Sequence, residues 1–309
     1  MPEIVVVGDI DTDIFYIVPH IPTWDEGVLV DQNYVLPGGK GANTACVLSS
    51  LGMQTGLVAV IGSDDYGEIG IAGIKKNKVE LDGVIVRDDA ETYHCIMMLD
   101  DTGEKAILVK HTEITYPSKD ALRAKIPYLT SANHVHYIAI DPLRMLDSIV
   151  EMKRNGLTVS ADLDAAYPGI EACRDVIAYS DIVFVNRQGA GHLFPGKSYA
   201  DVLSELLRIG VGTAVITLGS EGSLAGNQRG DIVRVSGYPV RVVDTTGSGD
   251  TFSGAFVYSV LQEKALADSL RFASAAAAIS TQRIGGQGAV PTLLQINHFI
   301  ETGGCPDEY

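Results

Sequence analysis

Val242-Val243-Asp244-Thr245-Thr246-Gly247-Ser248-Gly249-Asp250-Thr251-Phe252 decides how this chain is read. A short apolar strand meets a glycine-rich turn, and an apolar helix follows over Gly249–Leu261. The first N–H groups of such a helix have no intrahelical partner and carry partial positive charge, so the turn is an anion site. Gly247 and Gly249 let a ligand approach the backbone. Asp250 stands in the same turn, where a carboxylate serves either as a helix cap or as a chemical group.

A second glycine-rich turn, Pro37-Gly38-Gly39-Lys40-Gly41-Ala42-Asn43, opens another helix after an extended segment. Lys40 offers a mobile cation and Asn43 both a donor and an acceptor, which suits a polyhydroxyl ligand or a phosphate. The pattern GxxxxGK[ST] is absent, so this is not a Walker A loop. A third cluster, Gly8-Asp9-Ile10-Asp11-Thr12-Asp13, follows the apolar run Ile4–Val7. Alternate residues of an extended chain share a face, so its carboxylates would point together. Ligands of open α/β sheets bind beyond the carboxyl ends of the strands. Of the three, Asp9 reads as the one most simply left to solvent.

Working outward, short apolar runs alternate with helical stretches. Strands are expected over 4–8, 56–62, 134–140, 158–162, 182–185 and 214–218. Helices are expected over 42–51, 66–77, 143–155, 199–209, 249–261 and 266–282. This alternation predicts an α/β fold, a mostly parallel sheet with helices on both faces. Two stretches break it. Extended segments 14–18 and 28–36 flank a Pro-containing turn, and 93–99 with 106–110 read as a hairpin about Asp100-Asp101-Thr102-Gly103. They predict a small β-sheet lid over residues 14–36 and 92–111, on a core of 1–13, 37–91 and 112–300. The tail 301–309 is expected to be loose.

Composition narrows the function. Of 309 residues, 39 are acidic and 23 basic, for a formal charge of −16. Such a field repels polyphosphate backbones, so nucleic acid is not an expected partner. It repels ATP as well, and a nucleotide site here needs helix N-termini, a few cations and a divalent ion. Cys46, Cys95, Cys173 and Cys305 form no CxxC pair and read as reduced thiols. No apolar run reaches the roughly 20 residues of a membrane span. The Met1-Pro2-Glu3 start has no basic leader, so a cytoplasmic protein away from membranes is expected.

These motifs resemble the ribokinase-like (PfkB) family of carbohydrate kinases. The GGKGAN at 38–43 and the DTTGSGD at 244–250 are similar to its two signatures, in their usual order. Thr217-Leu218-Gly219-Ser220-Glu221-Gly222 is similar to its nucleotide-binding turn, and Arg271–Ala278 to its late Ala-rich helix. The resemblance runs over nearly the whole chain. It implies a Rossmann-like three-layer α/β/α core with a β lid, and ATP-dependent phosphorylation of a hydroxymethyl group on a small sugar. It implies Asp250 as catalytic base, with the amides of Gly247, Ser248 and Gly249 as the anion hole. Asp11, Asp13, Gly39, Lys40 and Asn43 would hold the sugar. Asn186, Thr217, Gly219, Gly222 and Ser274 would meet ATP. Mg²⁺ is implied, and Asp244 and Thr246 match positions that hold a monovalent cation such as K⁺ through backbone oxygens. A homodimer paired through the lids is the implied assembly. A helix N-terminus is expected to lower the Asp250 pKa.

The chain departs from the family pattern at several places. In Asn186-Arg187-Gln188-Gly189, Gly189 replaces the acid of the NxxE motif, and Asp162 and Asp164 are the candidates for a water-mediated metal role. Asp11 stands where ribokinases place Asn, and Ile140 where they place an acid. These differences and Val183–Leu193 look closer to ketohexokinase-like members, so a ketose is the second expected substrate and a nucleoside the third. Ser248 replaces the commoner Ala and leaves the amide in place. His134 and His136 share a strand face and read as core or rim. Two other classes compete. Asp9–Asp13 is similar to the DxDx[TV] of haloacid-dehalogenase-like phosphatases, but leaves both glycine turns unexplained. A non-catalytic sugar sensor leaves the intact Asp250 turn unexplained.

Overall fold

The computed structural model describes residues 1–100, 105–164 and 169–303. Its strands are β1 (Ile4–Val7), β2 (Asp11–Ile17), β3 (Gln32–Gly38), β4 (Thr55–Val58), β5 (Val60–Gly62), β6 (Ile85–Arg87) and β7 (His94–Leu99). They continue as β8 (Lys105–Lys110), β9 (His134–Ile138), β10 (Thr158–Asp162), β11 (Ile182–Asn186), β12 (Thr213–Thr217), β13 (Ser223–Asn227) and β14 (Ile232–Val235). The helices are α1 (Lys40–Ser50), α2 (Asp65–Lys76), α3 (Lys119–Ala124), α4 (Ile126–Leu129), α5 (Pro142–Arg154) and α6 (Ile170–Tyr179). After them come α7 (Arg187–Leu193), α8 (Tyr199–Ile209), α9 (Ser248–Leu261), α10 (Leu266–Ser280) and α11 (Leu293–Thr302).

The main sheet runs β14-β13-β12-β11-β10-β9-β1-β4. From β12 to β4 it is parallel, and β13 and β14 extend it antiparallel. Strand alternation divides the core into two layers. Val5, Val7, Val135 and Tyr137 face α5, α6 and α8 through Met145, Ile149, Val176 and Leu203. Ile4, Val6, Phe184 and Val215 face α1, α9 and α10 through Val47, Phe256 and Ala276. The ring of Phe256 meets Phe184 edge-on at 5.5 Å. Both faces are covered, which is why the central strands are apolar without alternation.

A separate sheet has the order β3-β2-β7-β8. Pairing within β2/β3 and β7/β8 is antiparallel, as expected, but the two hairpins join through a parallel β2/β7 ladder. Register places Asp11, Asp13 and Phe15 on one face with Cys95 and Met97. The opposite face carries Ile14, Tyr16, Val35, Ile96, Met98 and Leu108, of which Leu108 is 59% exposed.

Several expectations change. The single strand expected over 56–62 is two strands in different sheets, because β5 pairs with β6. Val242 and Val243 form no strand. The N–H groups of Val243 and Asp244 both donate to the carbonyl of Thr281 instead, which ties this segment to the end of α10. Helices α3, α4, α6, α7 and α11 and strands β6, β13 and β14 have no counterpart among the elements expected from the sequence. The expected turn residues 101–103 lie outside the described residues. So do 304–309 of the expected loose tail and Cys305 with them, whereas Glu301 and Thr302 continue α11. Cys46, Cys95 and Cys173 are buried free thiols. No helix among the described residues is long and apolar enough to cross a membrane.

Candidate active site

Parallel strands end side by side, and the residues just beyond them form a cluster. Asp9 follows β1, Asp162 ends β10, Asn186 ends β11 and Thr217 ends β12. The sheet β3-β2-β7-β8 brings Asp11, Asp13, Tyr93, Cys95 and Lys105 to the same cavity of about 840 Å³, and the turn before α9 brings Gly247, Ser248, Gly249 and Asp250. An adjoining cavity of about 610 Å³ is lined by Gly222, Tyr238, Phe252, Ser274 and Ala277, and shares Thr217, Gly219, Ser248 and Gly249 with the first. The two cavities thus meet at the turn that begins α9.

Asp250 is the third residue of α9 and is 6% exposed. Asn43 Nδ2 donates to its Oδ2 at 2.8 Å, and Thr44 Oγ1 donates to its carbonyl at 3.4 Å. The carboxylate is therefore not a helix cap; it faces α1. The expected lowering of its pKa is overturned. Burial raises it to about 7, against the opposing pull of Lys40 and the Asn43 hydrogen bond, with Asp162 and Asp9 adding to the rise. Desolvation outweighs the helix terminus because the group is buried among other acids.

Gly247 has φ +73°, and a Cβ there would lie 2.6 Å from Cα of Gly286. Both facts require glycine. The Ser248 N–H donates to the Thr245 carbonyl at 3.2 Å, and Thr251 N–H to the Gly247 carbonyl at 2.9 Å. Gly247, Gly249 and Asp250 keep N–H groups with no acceptor among the described residues. Asp244 ties the turn from below: Thr246 N–H and Oγ1 donate to its Oδ1, and Gly285 N–H to its Oδ2. Lys105 reaches over from β8, its Nζ 3.1 Å from Thr246 Oγ1 and 3.6 Å from Asp244 Oδ1.

At the other turn Gly39 precedes α1, and Gly38 packs directly beneath the acids. A Cβ on Gly38 would lie 2.2 Å from Asp11 Oδ1 and 2.4 Å from Asp13 Oδ2. Asp9 is not solvated as expected. It is 2% exposed, and Gly41 N–H donates to its Oδ1 at 2.9 Å, so it anchors the glycine turn to β1. Asp11 and Asp13 are also buried. Burial, with Asp13 and Asp9 beside it, raises Asp11 well above the carboxylate range. Burial, with Asp244 beside it, raises Asp13 to about 7. Asp11 Oδ1 and Asn43 Oδ1 are buried acceptors with no donor among the described residues. Oxygens of Asp11 and Asp13 and the sulfur of Cys95 lie within 4.8 Å of one another. Burial and Asp11 push the thiol up to about 12, and it donates to Asp11 Oδ2 at 3.9 Å.

Lys40 Nζ pairs with Asp164 Oδ2 at 2.6 Å, and Asn186 Nδ2 donates to Asp164 Oδ1 at 2.6 Å. Burial works against the Lys40 charge, but Asp164, Asp250 and Asp162 outweigh it and hold the ammonium above its ordinary pKa. Burial raises Asp162 to about 6. Gly189 has no room for a side chain, since a Cβ would lie 2.0 Å from the Asp164 carbonyl oxygen. Asp164 itself has φ +45° and folds into that space. The site also includes residues that no motif marked: Lys105, Tyr93, Cys95 and Arg187, whose Nη2 donates to the Leu218 carbonyl at 2.6 Å. Only the pairing of the small sheet brings the first three here. His134 and His136 bond instead to Thr158 and Ser160 inside the sheet, and burial lowers both to about 3. They are neutral core residues, as read.

A model of the pfkB family of carbohydrate kinases matches residues 1–293. The ribokinase of Schizosaccharomyces pombe is 29% identical over 312 residues, covering 96% of this chain and 97% of that protein. The ribokinase of Haemophilus influenzae is 28% identical over 304 residues, with the same coverage. Among solved structures, Arabidopsis thaliana ribokinase complexed with ribose and ATP matches with a TM-score of 0.84 and 26% identity, over 97% of this chain and 99% of that one. A putative ribokinase II of Escherichia coli in complex with ATP and Mg²⁺ has the same fold, with a TM-score of 0.84 at 22% identity over 98% and 100% of the two chains. With both glycine turns on one cavity and a family match through residue 293, this chain belongs to the pfkB family of carbohydrate kinases.

Proposed function

We propose that the chain transfers the γ-phosphoryl group of ATP to a hydroxymethyl group of a small sugar, with Asp250 as general base. One observation carries this reading: the 2.8 Å bond from Asn43 to Asp250 joins the turn at the acid-lined pocket to the turn with free amides. A hydroxyl held there lies between a proton acceptor and a phosphate acceptor site.

Asp11 Oδ1 and Asn43 Oδ1 are orphaned acceptors, and a sugar supplies the missing O–H donors. Asp13, Gly39 and Lys40 complete that end. Asp250 takes the proton of the attacking hydroxyl as the new O–P bond forms and the bond to ADP breaks. The transition state is loose, so the free amides of Gly247 and Gly249 act mainly by receiving its spreading charge. Ser248 contributes less through its amide, which is already bonded to Thr245. Lys40, and Arg187 at the rim, add cations on the same side. Thr217, Gly219, Gly222 and Ser274 line the cleft that suits the nucleotide, with Asn186 at its phosphate end.

Mg²⁺ would be held by the ATP phosphates and, through water, by Asp162 and Asp164, and would offset phosphate charge. The hard carboxylate oxygens fit, with Asp164 held beside Lys40 and Asn186 and its backbone carbonyl against Gly189. The Asp244 carboxylate already accepts from Thr246 and Gly285, so K⁺ beside Asp244 and Thr246 would rest on backbone oxygens. The apolar outer face of the small sheet supports a homodimer paired there, which Leu108→Lys should dissociate in light scattering. A cytoplasmic setting is part of the same reading.

The likeness to a ribokinase solved with ribose and ATP supports a sugar acceptor. The lack of space at Gly189, with Asp11 and Ile140, supports a ketose as the second candidate, ahead of a nucleoside. The test is ADP release and phosphorylated product across pentoses, ketoses, other hexoses and nucleosides, with and without K⁺. Product from one sugar class, lost in Asp250→Asn, is expected; binding of sugar without any product in the wild type would leave only a sensor.

A further inference from the structure

A cavity of about 1010 Å³ lies apart from the one just discussed. It lies between the end of α2, the 239–243 segment, the loop 282–291 and α11. Among the described residues its lining includes Lys76, Arg241, Arg283 and His298 and not one Asp or Glu. In a chain of formal charge −16 that is a local reversal of sign. None of these four side chains forms an ion pair or hydrogen bond with another described residue. Phe299 supplies an apolar wall. Gln287, also in the lining, has both amide atoms buried and without a hydrogen-bond partner among the described residues.

We propose that this cavity is a second ligand site, which takes a phosphate-bearing organic metabolite. Unpaired Lys and Arg side chains make charge-assisted bonds to phosphate, and a concave wall with an apolar part accepts an organic body. The site touches the phosphoryl-transfer turn through one loop. Arg283 and Gln287 line the cavity, while between them Gly285 N–H donates to Asp244 Oδ2 and Gly286 packs against Gly247. A ligand drawn onto Arg283 therefore bears on the loop that supports the anion hole, and its occupancy shifts turnover.

The test is calorimetric titration of the full chain, with its nucleotide cleft filled by a non-hydrolysable ATP analogue and Mg²⁺. Fructose 1,6-bisphosphate and inorganic phosphate are the two probes. We expect the bisphosphate to bind one site with a Kd below roughly 1 mM, and phosphate to bind more weakly. The exposed pair Lys76→Glu with Arg241→Glu should weaken it at least about tenfold, at unchanged circular dichroism and unchanged unliganded turnover. No binding, or equal affinity in the double variant, overturns the site. Equal affinity for inorganic phosphate overturns the organic ligand. Binding that leaves the turnover of the wild type unchanged overturns the coupling. None of these outcomes depends on which sugar the kinase accepts.

Discussion

Asn43 Nδ2 donates a hydrogen bond to Asp250 Oδ2 over 2.8 Å, although 207 residues separate the two in sequence. The bond fixes one carboxylate oxygen and leaves the other to a substrate proton. Replacing Asp250 by Asn removes the acceptor for that proton while keeping the shape. Turnover is expected to fall by about 10²–10⁴, the span for loss of a general base. Steady-state kinetics with the best sugar checks this, and near-normal turnover would end the assignment.

The pH dependence follows from the same carboxylate. Asp250 acts as base only when ionised, and burial holds its pKa at about 7. The kcat/KM of the free enzyme should therefore climb with pH through about 7. Asn43→Ala removes a bond that favours the ionised form, so the rising limb should move to higher pH. A profile that is flat between pH 5 and 8 would contradict both.

Stability should run the other way. Asp250 and Asp13 at about 7, and Asp162 at about 6, bind protons more tightly in the folded chain than at their ordinary 3.8. Between pH 4 and 7 the native state keeps protons that the unfolded chain has released. Stability therefore falls as pH rises through that window. At pH 8 Asp250→Asn should gain about 1–3 kcal/mol in urea denaturation, since each pKa unit is worth about 1.4 kcal/mol. The catalytic loss and the stability gain should appear in the same variant.

Lys40 is held by Asp164 at 2.6 Å and stands over the same acids. Lys40→Met removes the cation nearest the expected phosphate path. A loss of about 10²-fold in turnover is expected, comparable to removing one preorganised donor at a developing charge. The acidic limb should also move up, because Lys40 lowers the Asp250 pKa. A change in sugar KM alone would place Lys40 in binding only.

Two substitutions separate the turn from the core. Gly247→Ala forces a side chain into φ +73° and against Gly286. It should cost about 1–3 kcal/mol of stability and most of the activity. Phe256→Ala empties a fully buried site against Phe184. It should cost about 3–5 kcal/mol by chemical denaturation, with the kinetics of the remaining folded enzyme little changed.

The α/β class, the strands β1, β9, β10, β11 and β12 and the two glycine turns could be read directly from the chain. Their signals are local: apolar β-branched runs, glycine before helices, and turn residues at short spacing. Those rules act within about ten residues, the length of a turn and one helix. Strands β13 and β14 escaped because β14 is short and half exposed, and its pairing partner rather than its composition makes it a strand.

The sequence alone determined which side chains this protein has for chemistry: Asp250 at a helix start, Lys40 and Asn43 in a glycine turn, and acids after the first strand. Tertiary structure alone decided their states. Asp9 became an anchor and Asp11 a buried acid of raised pKa beside Cys95, the Asp164 carbonyl took the room beside Gly189, and the Asp250 pKa rose instead of falling. Charge and hydrogen-bond energies depend on burial and on distances of a few ångström between residues far apart in the chain. Local sequence specifies neither.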